Sequence, residues 1–143
     1  MTKIRGFRTP VARELAYAEL SNAQSVTGTT VVDITDLSIS FTSPAEAYWV
    51  EASIEVKNDV TVDTNVSLFI TDGSNNVLKT RTVNVDNVAT ERTGITCKVR
   101  MSEAPGTAKT FKARVGTNQA SGDIELVQLG NDDLEAFIHA YLV

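Results

Sequence analysis

The sequence is poor in the residues on which many sites depend. Its single cysteine, Cys97, excludes an internal disulfide framework and any zinc site built from several thiolates. Its single histidine, His139, excludes most histidine-based metal centres. No GxSxG, Walker or GxGxxG sequence is present. No stretch approaches the roughly 18 uninterrupted apolar residues of a membrane helix. The first twenty residues, MTKIRGFRTPVARELAYAEL, carry basic side chains but no continuous apolar run, so they do not read as a secretory leader. There is no internal repeat, no heptad series and no Pro- or Gly-rich linker, so no fibrous shaft is encoded. A lone cysteine fits a reducing cytoplasm, or a particle assembled there.

What is present is a single-domain chain of 143 residues, 42% hydrophobic and 22% charged, a globular composition. Thr, Val and Ile number 18, 17 and 8, and this β-branched excess favours strands. The net charge of −5 argues against a nucleic-acid binder. That charge is unevenly spread. Residues 1–13 carry Lys3, Arg5, Arg8 and Arg13 and no acid, whereas the other 130 residues carry nine Lys/Arg against 18 Asp/Glu. Pro10 biases Thr9 toward an extended backbone. We read 1–13 as an extended basic arm and 14–143 as the folded body. Lys3, Ile4, Arg5, Phe7, Arg8, Val11 and Arg13 are its candidate partner-binding residues.

From Leu15 onward the apolar pattern has period two. Leu15–Leu20 reads as a first strand. Thr30–Phe41 switches parity at Thr35-Asp36, which implies a bulge. Tyr48–Lys57 alternates cleanly, with Tyr48, Val50, Ala52, Ile54 and Val56 on one side. Val60, Val62, Val66, Leu68 and Ile70 continue the pattern, and Asp72-Gly73-Ser74-Asn75-Asn76 reads as a hairpin loop before Val77–Val85. Ile95, Cys97, Val99 and Met101 alternate with Thr96, Lys98 and Arg100. Ala104-Pro105-Gly106 is a turn, after which Phe111, Ala113 and Val115 alternate with Lys112 and Arg114. Ile124–Leu129 is a short strand. Leu134–Val143 is apolar on both faces, as in a central strand or one covered by a partner subunit. These eight or nine strands predict an all-β sandwich or barrel.

Little in this pattern carries chemistry. Cys97 and His139 are the only nucleophile–base pair, but they lie on different strands, and Cys97 falls on the apolar parity. The 72–76 loop lacks the alternating carboxylates of a calcium loop. Asn131-Asp132-Asp133-Glu135 reads as a solvated turn, and Asp33 and Asp36 as bend residues. No carboxylate pair stands out as a glycosidase dyad. No metal, cofactor or catalytic residue is expected. Trp49 lies on the polar parity of its strand and is either an interface residue, a ligand contact, or turned inward by a bulge. Lys98, Arg100, Lys112 and Arg114, on two successive strands, read as a patch for an acidic partner or as a solvated face balanced by Glu51 and Glu55.

Two stretches resemble a known family. Arg13-Glu14-Leu15-Ala16-Tyr17-Ala18-Glu19-Leu20 and Val31-Val32-Asp33-Ile34-Thr35-Asp36-Leu37-Ser38-Ile39-Ser40-Phe41 are similar to jelly-roll modules in virion proteins of tailed bacteriophages. Val50-Glu51-Ala52 and Ile70-Thr71-Asp72-Gly73 stand where those modules have a "v-E-a" strand and an "I-x-D-G" strand end. The resemblance covers about residues 13–143. It implies an antiparallel jelly-roll-like β-sandwich of about eight strands with an extended N-terminal arm. It further implies a non-enzymatic, commonly trimeric virion protein, assembled in the host cytoplasm, that contacts other capsid or tail proteins. The role expected first is capsid decoration; the alternative is a minor tail protein or tail-fibre or tail-tip module touching host surface glycans. No nucleic-acid or membrane partner is expected. Trp49, Phe137 and Tyr141 are the expected subunit-interface residues.

Overall fold

Alternating apolar side chains give strands, and nothing in the described chain is periodic enough to give a helix. The computed structural model describes residues 13–58, 63–86, 92–118, 123–126 and 136–143. Ten strands run in chain order: β1 (Glu14–Glu19), β2 (Gln24–Thr27), β3 (Val32–Thr42), β4 (Tyr48–Asn58), β5 (Thr64–Asp72), β6 (Val77–Val85), β7 (Thr93–Met101), β8 (Ala108–Thr117), β9 (Asp123–Leu126) and β10 (Phe137–Leu142). Among the described residues no helix forms, and so none is long and apolar enough to cross a membrane.

All pairings are antiparallel and fall into two sheets. In the first, β4 pairs with β7 along one side. Its other side is shared, residues Tyr48–Ser53 pairing with β10 and Val56–Asn58 with β9. β10 pairs in turn with β1, and β9 with β2. The sheet is therefore four positions wide, two of them each filled by two short strands. The second sheet runs β3-β8-β5-β6. Eight positions result, and successive positions alternate between sheets except at the β5–β6 hairpin. This is a jelly-roll sandwich: the strand pattern predicts a sandwich or barrel, and the resemblance implies the jelly roll.

The core is the set of inward alternates. Val50, Ala52 and Val56 of β4, Val66, Leu68 and Ile70 of β5, Phe111, Ala113 and Val115 of β8 and Ile138 and Ala140 of β10 are all inaccessible to solvent. At one end Phe41, Tyr48 and Phe111 pack with ring centroids 5.3–6.2 Å apart. The Tyr48 hydroxyl donates to Glu103, and burial, reinforced by that bond, pushes the phenol well above its ordinary pKa. A backbone clasp closes this end. Ser43 N donates to Thr107 O (2.8 Å), Gly106 N to Ser43 O (2.9 Å), and Ser43 Oγ to Ala104 O (2.7 Å). Gly106 adopts φ +84°, the left-handed region that glycine enters without cost.

The bend expected at Thr35-Asp36 is present. The β3–β8 register breaks between Asp33 and Ser38, and Asp36 has φ +68° with its carboxylate held by Ser21 Oγ at 2.6 Å. The extra residue lets Ile34, Leu37 and Ile39 all reach the core despite their parity change. The hairpin at 72–76 is also as predicted. Asp72 Oδ1 accepts from Ser74 N and Asn76 N, at 2.8 and 2.9 Å. Val60, Val62, residues 127–129 and Asn131-Asp132-Asp133-Glu135 lie outside the described residues, as do residues 1–12 of the arm.

The central position of β10 yields a stability prediction. Ile138→Ala should cost about 2–5 kcal/mol in urea unfolding, the range for a large-to-small change in a packed core. Val77→Thr, at a site 56% exposed on β6, should change stability by less than about 0.5 kcal/mol.

Candidate functional site

The inward faces of the sandwich hold packing, so side chains that can meet a ligand or a partner lie on the outward faces. Those two faces differ in chemistry. On the second sheet polar groups pair with one another. Asp33 receives Arg114 Nε (2.6 Å) and Lys112 Nζ (3.1 Å), Ser40 meets Thr110 (2.9 Å), Ser67 meets Thr82 (2.6 Å), and Asn84 donates to Asn65 (3.0 Å). At Asp33 the upward push of burial is outweighed by these cationic donors, and its carboxyl sits below the ordinary value.

The first sheet presents rings. The registers of β10, β4 and β7, which are unbroken, and that of β1, which shifts at a bulge between Glu14 and Ala16, place its outward side chains in three rows. The first row is Glu14, Tyr141, Trp49 and Arg100; the second is Tyr17, His139, Glu51 and Lys98; the third is Glu19, Phe137, Ser53 and Thr96. Side chains on neighbouring strands of one row lie within contact reach, which is why residues distant in sequence form one surface. Tyr17 stacks on Phe137 at 6.0 Å, Phe137 meets His139 edge-on at 5.2 Å, and His139 lies 4.7 Å from Tyr141. The Lys98 ammonium sits 4.3 Å over the Trp49 ring.

His139 is the centre of the middle row. Its Nε2 donates to Glu51 Oε1 at 2.8 Å, and its Nδ1 lies 4.0 Å from Glu14 Oε1 with no hydrogen-bond partner in the structure. The hydrogen bond from His139 holds the Glu51 carboxyl below its ordinary pKa against the opposing effect of burial, and the charges of His139 and Lys98 add to it.

The three expected interface residues are thus brought together: Trp49 and Tyr141 are register partners, and Phe137 stands two rows from Tyr141 on the same strand. All three are half-buried on the outer face. The bulge that would turn Trp49 inward is not there, since the β4–β7 register is unbroken from Tyr48↔Met101 to Val56↔Thr93. Of the arm residues only Arg13 is described. Its side chain pairs with Glu46, and its carbonyl accepts from Leu142 N at 3.3 Å. Lys3, Ile4, Arg5, Phe7, Arg8 and Val11 lie outside the described residues.

Two other readings are resolved by the topology. Lys98 and Arg100 are on the first sheet and Lys112 and Arg114 on the second, so the four do not form one patch. Consecutive strands in the chain occupy opposite sheets here, and adjacency in sequence misleads. Cys97 faces the core, its thiol pushed up by burial, whereas His139 faces out; the sheet itself separates them. Among the described residues no group of three or more His, Cys, Asp or Glu side chains is placed to hold a metal ion. Tyr17 and His139 were not singled out from sequence as parts of a surface, whereas Glu51 was read as balancing the cations of that face, and it is the register partner of Lys98. The outward parity of Tyr17 beside that of Trp49 was the available signal.

No protein-family model and no curated protein matches the chain. Solved structures are similar at low identity. A chain of the infectious bursal disease virus Gt strain matches at 12% identity and a TM-score of 0.48, over 92% of this chain and 38% of that one. The Eiger TNF from S. frugiperda matches at 14% and 0.47, over 92% and 93%. A carbohydrate-binding module of Cellvibrio mixtus lichenase 5A, in complex with cellotriose, matches at 17% and 0.42, over 91% and 98%. The chain spans only 26% of the length of an arabinose-bound α-L-arabinofuranosidase that it also matches. These likenesses are of fold.

The Glu51–His139 bond makes stability depend on pH in a defined direction. Because the folded pKa of Glu51 lies below its unfolded value, its contribution is full above the ordinary carboxylate range and vanishes as pH falls through the lowered value. Glu51→Gln should therefore destabilise by about 1–3 kcal/mol near neutrality. The gap to the parent chain should close as pH falls below the ordinary carboxylate range, as read by urea midpoints over an acid pH series.

Proposed function

We propose that the chain is a non-enzymatic structural protein of a tailed-phage virion. It is an oligomeric jelly roll, expected as a homotrimer, docked on the particle through its N-terminal arm, and its role is capsid decoration. The observation that carries this reading is the outer face of the first sheet. Tyr17, Phe137, His139, Tyr141 and Trp49 form one aromatic surface, whereas the outer face of the second sheet carries one ring, Phe69, among hydroxyl, amide and ion pairs. Aromatic clusters of this kind are characteristic of protein interfaces. The arm supplies charge of the opposite sign to the body, which favours steering onto acidic neighbouring subunits. The separation of Cys97 from His139 supports a non-catalytic role.

A second reading rests on the same face. Rings beside the Glu51 carboxylate also suit a sugar, which would make the chain a minor tail or tail-tip protein touching host glycans. Copy number separates the two. Quantitative mass spectrometry of purified virions should give about one copy per major capsid protein, or about a third of that. A handful of copies in multiples of three would overturn decoration and favour the tail.

A further inference from the structure

Most lysine and arginine side chains among the described residues are matched. Arg13 pairs with Glu46, Arg92 with Glu55 and Lys109 with Glu103, while Lys112 and Arg114 share Asp33. Lys57 is engaged as well. The four that make no ion pair with a described carboxylate are Lys79, Arg81, Lys98 and Arg100. Lys98 sits over Trp49 beside its register partner Glu51, without closing an ion pair to it. All four are exposed, and all four lie on β6 and β7.

Those two strands are edges. Among the described residues β6 is hydrogen-bonded along its length only to β5, and β7 only to β4. Burial raises the pKa of the Cys97 thiol and the charges of Lys79 and Arg81 oppose it, so these two cations lie close to β7. The β6 and β7 edges thus make one flank of the sandwich, and the unmatched cations of an otherwise acidic chain collect there.

Lys79 and Arg81 also break the pattern of their strand. Their register partners are Ile70 and Leu68, both inaccessible core residues, so they stand at the inward parity of β6. Charge at such a place on an edge discourages pairing with a like or apolar edge. The same charge favours an edge that brings carboxylates. Lys79 and Arg81 are two residues apart, as are Lys98 and Arg100, and that is the repeat of side chains along one face of an extended chain.

We propose that the β6–β7 flank docks an extended acidic segment of a partner protein. Its main chain adds to the open edge of β6, its alternate carboxylates meet Lys79 and Arg81, and Lys98 and Arg100 attract it from β7. A sulfated or phosphorylated polymer would meet the cations but cannot continue the sheet. This inference goes beyond the proposed function and stands without it.

The test uses the full chain and fluorescence anisotropy of a labelled peptide of alternating Glu and Thr, about as long as β6. A peptide of the same composition with its Glu and Thr in separate blocks, and labelled heparin, serve as comparisons. The alternating peptide should bind at low salt, more tightly than the block peptide, and added salt should weaken it. Lys79→Glu with Arg81→Glu should weaken it about tenfold or more. Circular dichroism reports whether that variant is folded, and Lys79→Ser with Arg81→Ser takes its place should the glutamates disturb β6. Equal binding of both peptides and heparin would overturn strand addition and make the flank a general polyanion surface. Absence of peptide binding, or binding that the substitutions leave unchanged, would overturn the docking surface itself.

Discussion

The outer surface of this protein depends on where its last strand is placed. β10 lies between β1 and β4, hydrogen-bonded on both sides, and a strand in that position must send every second side chain to each face. Ile138 and Ala140 go into the core. Phe137, His139 and Tyr141 must then go outward, however apolar they are. Tyr17 on one neighbour and Trp49 on the other complete the aromatic surface. Register sets its composition, and shifting β10 by one residue would exchange its inner and outer sets.

The two outer faces show how differently the same architecture can be finished. On the second sheet, hydroxyl, amide and ion pairs join neighbouring strands around a single outward ring, Phe69. On the first sheet, large rings occupy the middle, and His139 keeps a buried nitrogen without a hydrogen-bond partner. Such a group is costly unless something else favours its position. Here that is the bond to Glu51, which orients the ring and joins β10 to β4.

Much of the strand pattern was legible because period-two alternation is local. The clean run of β4, the bulge near Asp36 and the hairpin at Asp72 each depend on residues a few positions apart. The apolar character of β10 on both sides correctly marked a central strand. Sheet membership was less accessible. Lys98-Arg100 and Lys112-Arg114 are on consecutive strands, yet the jelly-roll connection sends them to opposite sheets. The site itself had the least sequence signal. Trp49, Phe137 and Tyr141 stood out singly as large aromatics, but their union with Tyr17, His139 and Glu51 depends on pairing across more than 80 positions in the chain. Only the folded register states that partnership.

Trp49 is the protein's one tryptophan and stands inside the aromatic surface, so its fluorescence reports directly on whether that surface is covered. The decisive measurement is acrylamide quenching of Trp49 over a protein dilution series. If copies cover the first sheet, quenching should be weak at high concentration and rise on dilution as they separate, with circular dichroism unchanged. Strong quenching at every concentration, from a chain that stays folded, would contradict the account.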